Sequence, residues 1–294
     1  MNPAGRPFAS LVIWGRMVKL SHTVFALPFV LSAAALAAVE SGWEPVRLLW
    51  ILVAMFGARN AAMGFNRLVD HEFDARNPRT AERELPAGRL DRRTVWLVTA
   101  ALTALFVFAA AQLDMLWFAP IVLALIFGYS LTKRFTWASH LALGLALGLA
   151  PVGAWLAVAG ELAPTALLLG AAVTCWVAGF DLIYACQDVE FDRDAGLHSL
   201  PARYGVQTAL WTARGLHLAT LALLAAVGVQ AKLHPVYWIG QAAVVLILVL
   251  EHRVVRPGDL SRLDLAFFNL NASVSVVYFG AVLAALAAGA MGGF

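Results

Sequence analysis

Nine long apolar runs constrain this chain more than any other feature. They fall at roughly 20–40, 47–69, 94–112, 115–131, 137–159, 163–186, 206–228, 235–251 and 266–290. A bilayer core needs about 20 apolar residues in a helix that crosses it, fewer where the segment is short or partly buried. The chain therefore reads as an all-α integral membrane protein with about nine transmembrane helices, the run at 115–131 being the shortest. Composition agrees: 61% of residues are hydrophobic and 13% charged, against roughly 25% charged in soluble domains. Nothing resembling a soluble domain is left over, so residues 1–294 read as a single membrane domain.

The connections alternate in character. The N-terminal segment and the loops 70–93, 132–136, 187–205 and 252–265 are rich in charge, whereas 41–46, 113–114, 160–162, 229–234 and the C-terminal tail are short and nearly uncharged. Lys and Arg gather on the first set or at span ends beside it, with few exceptions (Arg47, Arg59 and Lys232 among them). The positive-inside rule then places the N-terminus and the large loops in the cytoplasm of a cell with this protein in its inner or plasma membrane. The same rule accounts for the net charge of +3. No Lys/Arg-rich run with interleaved aromatics points to nucleic acid, and no obligate protein partner is evident. Arg16 and Lys19 ahead of the run 24–39 resemble a signal peptide's flank, but the run is long enough to span and reads as a retained first helix. Cys175 and Cys186 form no CxxC and read as buried free thiols.

Two acidic blocks stand out. Asn66-x3-Asp70-x3-Asp74 is followed by Leu85-Pro86-Ala87, and Asp181-x6-Asp188-x3-Asp192 by Leu200-Pro201-Ala202. Each begins at the charged-loop end of a span, the second and the sixth, which suggests two repeats sharing one site. Residues four or seven apart share a helical face. If the second helix runs on past the membrane surface, Asn66, Asp70 and Asp74 line one stripe, with Arg59 deeper on it. Asp181, Asp188 and Asp192 line another, close to Tyr184 and Gln187. Facing acidic stripes call for a hard cation. Mg2+ binds through one or two carboxylates plus phosphate oxygens, and a pair of such sites can grip a diphosphate as it leaves. Arg79 and Arg83 after the first block, and Lys133 and Arg134 after the fourth run, are diphosphate partners by chemistry, or topology signals. Asp181 and Arg59, ionisable residues within spans, read as functional because burying charge in lipid is costly.

The stretch Asn66-Arg67-Leu68-Val69-Asp70-His71-Glu72-Phe73-Asp74, with Arg79-Thr80 and Arg83-Glu84-Leu85-Pro86-Ala87-Gly88, resembles the first signature of the UbiA family of intramembrane aromatic prenyltransferases. Asp181 through Asp192 resembles the second, and Thr132-Lys133-Arg134 the family's short basic loop. The resemblance covers the chain in length, helix count and motif placement. It implies nine spans around a central cavity with a cytoplasmic cap, and Mg2+-dependent transfer of a prenyl chain from a polyprenyl diphosphate to an aromatic acid in quinone biosynthesis. It assigns Asn66, Asp70, Asp74, Asp188 and Asp192 to Mg2+ and diphosphate. Arg79, Arg83 and Lys133 would meet diphosphate oxygens, Asp181 would support the second site, and Arg59 would meet an acceptor carboxylate. Tyr184 or an Asp would steer the allylic cation or take the ring proton.

Many family members carry Asn-Asp where this chain has Asn66-Arg67. Position 67 lies off the Asn66/Asp70/Asp74 stripe, so metal binding is expected to survive. The segment Ser21 to Phe29 is similar to the branch linked to menaquinone made through futalosine, whose acceptor is a dihydroxynaphthoate, rather than to 4-hydroxybenzoate enzymes of ubiquinone synthesis. His22 reads as a packing residue or an acceptor contact, His71 and Glu72 as solvated, His198 as structural. The rivals are a haem, chlorophyll or archaeal-lipid prenyltransferase of the same family, a secondary transporter, and a non-catalytic membrane scaffold, which gives no reason for two matched acidic stripes. A transporter would put its coupling residues near the bilayer midplane, whereas these acidic clusters sit at one face.

Overall fold

The computed structural model describes residues 13–18, 23–263 and 265–292. Lys19, Ser21 and His22 lie outside the described residues. Helix α1 covers residues 13–17. It is followed by α2 (Thr23–Ser41), α3 (Pro45–Val69), α4 (His71–Arg76), α5 (Arg92–Gln112), α6 (Ala119–Thr132) and α7 (Ser139–Ala159). The remaining helices are α8 (Pro164–Ala185), α9 (Val189–Asp194), α10 (Leu200–Tyr204), α11 (Val206–Gln230), α12 (Val236–Val254) and α13 (Asn271–Gly292).

Among the described residues seven helices are long and apolar enough to cross a membrane: α3, α5, α7, α11, α12 and, with their flanking turns, α8 and α13. Two further apolar helices are shorter, Phe25–Ser41 and Ala119–Thr132, and these are the runs expected at 20–40 and 115–131. Large apolar side chains such as Leu97, Leu218, Ile239 and Leu246 stand exposed, which in an aqueous protein would be a liability and in a bilayer is the lipid-facing surface. The chain is a multi-pass membrane protein.

Local chemistry sets the helix ends. Asp91 caps α5, its carboxylate accepting from the backbone N–H of Thr94 at 2.9 Å. Gly160 ends α7 in a left-handed conformation (φ 76°), which glycine adopts without a Cβ clash. Pro164 opens α8, where its missing N–H leaves no helical acceptor unpaired. Pro28 and Pro151 lie inside α2 and α7, as membrane helices tolerate.

The chain divides into two compact units. One holds Leu49–Leu131 with the described residues up to and including Thr23; the other holds Val24–Leu48 and the described residues from Thr132 onward. In the first, Trp14, Met17 and Val18 pack with Leu68, Leu85, Leu90 and Val95. The loop that follows the first acidic block is thus tied to its own helix by an apolar seal. In the second unit α8 is the central element, packed against both α7 and α11, with Leu169, Trp176, Leu182 and Ile183 fully buried. Helix α7 approaches it through Gly144 and Gly148, where an added Cβ would strike Thr174 and the carbonyl of Gly170. Small residues at such crossings let membrane helices meet backbone to backbone. A buried polar tie joins three elements: Trp176 Nε1–H donates to Asn271 Oδ1 at 2.9 Å, and Asn271 Nδ2–H donates to Glu251 Oε1 at 3.0 Å.

Cys186 is buried and Cys175 half-buried, and both are free thiols.

Candidate functional site

Each unit carries one acidic block, and each block sits where a long helix breaks. Helix α3 does not run unbroken through the block, as the stripe required. It ends at Val69; Asp70 takes φ −93° and ψ 4°, and α4 restarts at His71. The break keeps the spacing useful all the same. Asn66 Nδ2–H donates to Asp70 Oδ2 at 2.8 Å, and the Asp74 N–H donates to the Asp70 carbonyl at 2.7 Å.

Asp74 is buried, and cations surround it. Arg83 Nη1 lies 2.6 Å from its Oδ1, and Arg67 Nη1 lies 3.7 Å from Oδ2. Arg67 also donates to Asn66 Oδ1 at 3.3 Å. The expectation that Arg67 stands apart from the acidic stripe is therefore corrected: it bridges the first and last members of the block. Residues 67 and 74 are seven apart, two helical turns, so the spacing that aligned Asp181 with Asp188 applied here too. Thr80 Oγ1–H donates to the Asp74 carbonyl at 2.9 Å and fixes the loop behind it. Arg79 is exposed, and its backbone N–H donates to Asn77 Oδ1 at 3.0 Å. His71 is half-buried rather than solvated, while Glu72 is exposed. Arg59 points back into its own unit, donating to the Val18 carbonyl at 3.3 Å and to Asn60 Oδ1 at 3.5 Å.

The second block repeats the pattern. Helix α8 ends at Ala185, a single 3-10 turn covers Cys186–Asp188, and α9 carries Asp192. Asp188 and Asp192 are both buried. Lys133 Nζ stands 3.8 Å from Asp192 Oδ2, and the Lys133 carbonyl accepts from the His198 N–H at 2.6 Å. His198 thus acts through its backbone, with its side chain exposed. Arg134 is exposed beside Lys133. Tyr184 lies against Phe267, ring centroids 4.1 Å apart. Its carbonyl accepts from Gln187 Nε2–H at 2.9 Å. Phe267 belongs to a π-helical turn, Leu265–Leu270, ahead of α13. Such turns are rare, and sequence periodicity gave no warning of this one. Asp181 does not join the cation-paired carboxylates: its Oδ2 meets His140 Nδ1 at 2.6 Å. His140, on α7, carried no signal in the sequence, because 41 residues separate the two.

Both blocks fit a hard divalent cation. Asp74 Oδ2 and Asp192 Oδ2 are buried and accept no hydrogen bond. They are oxygen donors of the kind Mg2+ and Ca2+ take. No group of three or more His, Cys, Asp or Glu is gathered tightly enough among the described residues to hold a metal alone. Mg2+ takes one or two carboxylates and completes its shell with water and phosphate oxygens.

Residues 26–273 match the model of the UbiA prenyltransferase family. A 4-hydroxybenzoate octaprenyltransferase of Chromohalobacter salexigens is 29% identical over 248 residues, 84% of this chain and 83% of that protein. Among solved structures, the apo form of a UbiA homolog from Aeropyrum pernix superposes with a TM-score of 0.81 at 33% identity, covering 90% of this chain and 98% of that one. A UbiA homolog from Archaeoglobus fulgidus bound to DMAPP and Mg2+ shares the fold, with a TM-score of 0.70 at 20% identity over 92% of this chain and 99% of that one. Two acidic blocks at helix breaks, a membrane-spanning helical fold and a family match over most of its length agree: the chain belongs to the UbiA prenyltransferase family and is a prenyltransferase.

Proposed function

We propose that this protein transfers a polyprenyl chain, with Mg2+, from its diphosphate to the ring of an aromatic acid of the 4-hydroxybenzoate or 1,4-dihydroxy-6-naphthoate type, in quinone biosynthesis. The observation that supports this most directly is the pairing of buried carboxylate with cation in each block, Asp74 with Arg67 and Arg83, and Asp192 with Lys133. A metal diphosphate presents both signs of charge, and each block offers both in return.

In this reading Asn66, Asp70, Asp74, Asp188 and Asp192 hold Mg2+, which when bound neutralises the diphosphate and eases its departure. Arg79, Arg83, Lys133 and Arg134 donate to diphosphate oxygens. Arginine does so in a bidentate fork, lysine as a point charge. Fixed donors aimed at the oxygen that gains charge lower the barrier to C–O cleavage without having to reorganise. Arg59 receives the acceptor's carboxylate. Tyr184, its ring packed at a tilt against Phe267, lines the path of the allylic carbon. The ring carbon beside a phenolic hydroxyl attacks as the C–O bond opens. The apolar tail lies between helices or in lipid.

The same reading takes residues 1–294 as one domain of nine spans around a central cavity. The two shorter apolar helices complete the count, and the charged loops form a cytoplasmic cap. The N-terminus and both acidic blocks face the cytoplasm of an inner or plasma membrane, as the Lys/Arg distribution supports. Names of relatives point to 4-hydroxybenzoate as acceptor, and a neighbour of the same fold binds GPP and Mg2+.

The test is prenyl transfer by the purified protein in detergent with geranyl diphosphate, Mg2+ and each aromatic acid in parallel. Product that EDTA abolishes and Mg2+ restores, and that Asp70→Ala and Asp188→Ala both lose, is the expected result. Diphosphate binding without product from either acid would redirect the acceptor to another class of the family. Absence of diphosphate binding would overturn the reading.

A further inference from the structure

Helix α11 contains a single residue of the Lys, Arg, Asp or Glu type, Arg214. It stands eight residues past the helix start, about 12 Å along the axis. Gln207, Trp211, Gly215, Leu218 and Ala222 are exposed. Their spacings of four, four, three and four residues make one helical stripe, and on a membrane-spanning helix an exposed stripe of this kind faces lipid. Arg214 leans onto it. Its guanidinium carbon lies 4.5 Å from the centre of the Trp211 ring, and Trp211 is 61% exposed. Arg214 makes no ion pair with Asp or Glu among the described residues.

A charge on the lipid face of a helix is costly unless it reaches the interface or finds a partner. Helical side chains slant toward the N-terminus, here the end of α11 beside the charged loop 187–205, and a long basic side chain snorkels that way to headgroup depth. Stacking on the indole engages one face of the guanidinium and leaves its fork of N–H donors at the rim. The chain supplies no carboxylate for that fork: from residue 195 to residue 250 it carries Arg203, Arg214 and Lys232 and no Asp or Glu. The same pairing recurs on α10, which packs against α11. The guanidinium carbon of Arg203 lies 5.3 Å from the centre of the Tyr204 ring, and Trp137 meets that ring edge-on at 5.9 Å. All three side chains are exposed. Trp and Tyr settle at the headgroup level of a bilayer, so the two arginines stand where lipid phosphates lie.

We propose that the lipid-facing side of α10 and α11 is a binding site for an anionic phospholipid, with its phosphate held by Arg214 against Trp211 and its headgroup contact extended by Arg203 and Tyr204. A phosphate accepts the guanidinium fork through two oxygens at once. A zwitterionic lipid offers the same phosphate but adds an ammonium that two arginines repel, so a net negative headgroup binds better. The acyl chains lie along Leu218 and Ala222, farther down the same stripe. The surface attracts anions through cations alone and has no carboxylate with which to hold a divalent metal. It therefore suits a phospholipid better than a magnesium diphosphate, which the two acidic blocks are built to take.

The test is native mass spectrometry of the full-length protein in detergent, titrated with phosphatidylglycerol and, in parallel, with phosphatidylcholine of the same acyl chains. The expected result is tighter binding of the first phosphatidylglycerol than of the first phosphatidylcholine. Arg214→Ala should weaken phosphatidylglycerol about tenfold or more, as loss of a charge-assisted hydrogen bond does, and leave phosphatidylcholine unchanged. Arg214→Lys, which keeps the charge and loses the fork, should fall between. Prenyl transfer in detergent without added lipid should stay at the wild-type rate, because Arg214 belongs to neither acidic block. If Arg214→Ala fails to fold, Arg214→Lys and Trp211→Leu decide by the same titration, each weakening phosphatidylglycerol alone. Equal binding of the two lipids, or phosphatidylglycerol binding that no variant weakens, overturns the site. Displacement of phosphatidylglycerol by geranyl diphosphate or by inorganic phosphate at equal concentration overturns the phospholipid as its occupant.

Discussion

Arg83 Nη1 lies 2.6 Å from Asp74 Oδ1, and on the other side of the same carboxylate Arg67, its side chain 7% exposed, stands 3.7 Å from Oδ2. One buried anion thus anchors two cations. Asp74→Ala removes the ion-pair partner of the buried Arg67, and loss of one partner from a buried pair costs about 3–5 kcal/mol. Thermal unfolding in detergent should show this loss for Asp74→Ala and a smaller one for Arg83→Ala, because Arg83 has more access to water.

The link between Arg67 and Asp74 is testable by itself. Arg67→Ala and Asp74→Ala should be non-additive, the double variant regaining on the order of 1–3 kcal/mol relative to the sum of the singles. Strict additivity in equilibrium unfolding would mean that the 3.7 Å approach carries no energy. Prenyl transfer should fall in both single variants, since Arg67 also donates to Asn66 at 3.3 Å.

Gly148→Val tests the seam between α7 and α8. An added side chain there meets Thr174 and the Gly170 carbonyl, and overpacking of this kind costs about 1–3 kcal/mol. Gly128, inside α6, where an added Cβ would meet nothing within 4 Å, is the control: Gly128→Ala should not lower the melting temperature, since alanine favours a helix interior over glycine.

Asn271 spends both its donor and its acceptor capacity inside the second unit, accepting from Trp176 and donating to Glu251 and to the Ala266 carbonyl. Asn271→Ala orphans buried groups on three elements. At about 1–3 kcal/mol for each unsatisfied buried group, it should be among the most destabilising single substitutions in the chain, read from the unfolding midpoint.

Asp91 gives a pH signature. The side chain and backbone N–H of Thr94 both donate to its carboxylate and hold it below the usual carboxylate range. A depressed folded value means that stability is present above the carboxylate's ordinary range and is lost as pH falls through the depressed value. Asp91→Ala should therefore melt slightly below wild type at neutral pH and merge with it in acid, because the protonated cap no longer differs from alanine in charge. A gap that persists unchanged into strong acid would count against the cap.

What could be read from the sequence follows from how local each signal is. Hydropathy over 20 residues and Lys/Arg counts in loops located the helices, and the four-residue spacing of Asn66, Asp70 and Asp74 located the first block. These depend only on neighbours within a few turns. The expectation of an unbroken α3 failed because nothing in that spacing records where a helix ends; Asp70 breaks it through a backbone conformation set by the folded loop. Arg67 lies off the stripe defined from Asn66, yet its own seven-residue register with Asp74 is equally legible in the sequence.

Tertiary structure decided the partners. The 2.6 Å contact of His140 with Asp181 and the tie of Trp176 to Asn271 bridge 41 and 95 residues. In an apolar interior a polar side chain must find whichever donor or acceptor the packing brings within about 3 Å, and no pattern along the chain states which one that is. The sequence determined which residue types stand at the ends of which helices. Close packing through Gly144, Gly148 and Gly170, which fixes α7 on α8 to within a side chain's width, decided that one aspartate answers to a histidine while another answers to a lysine.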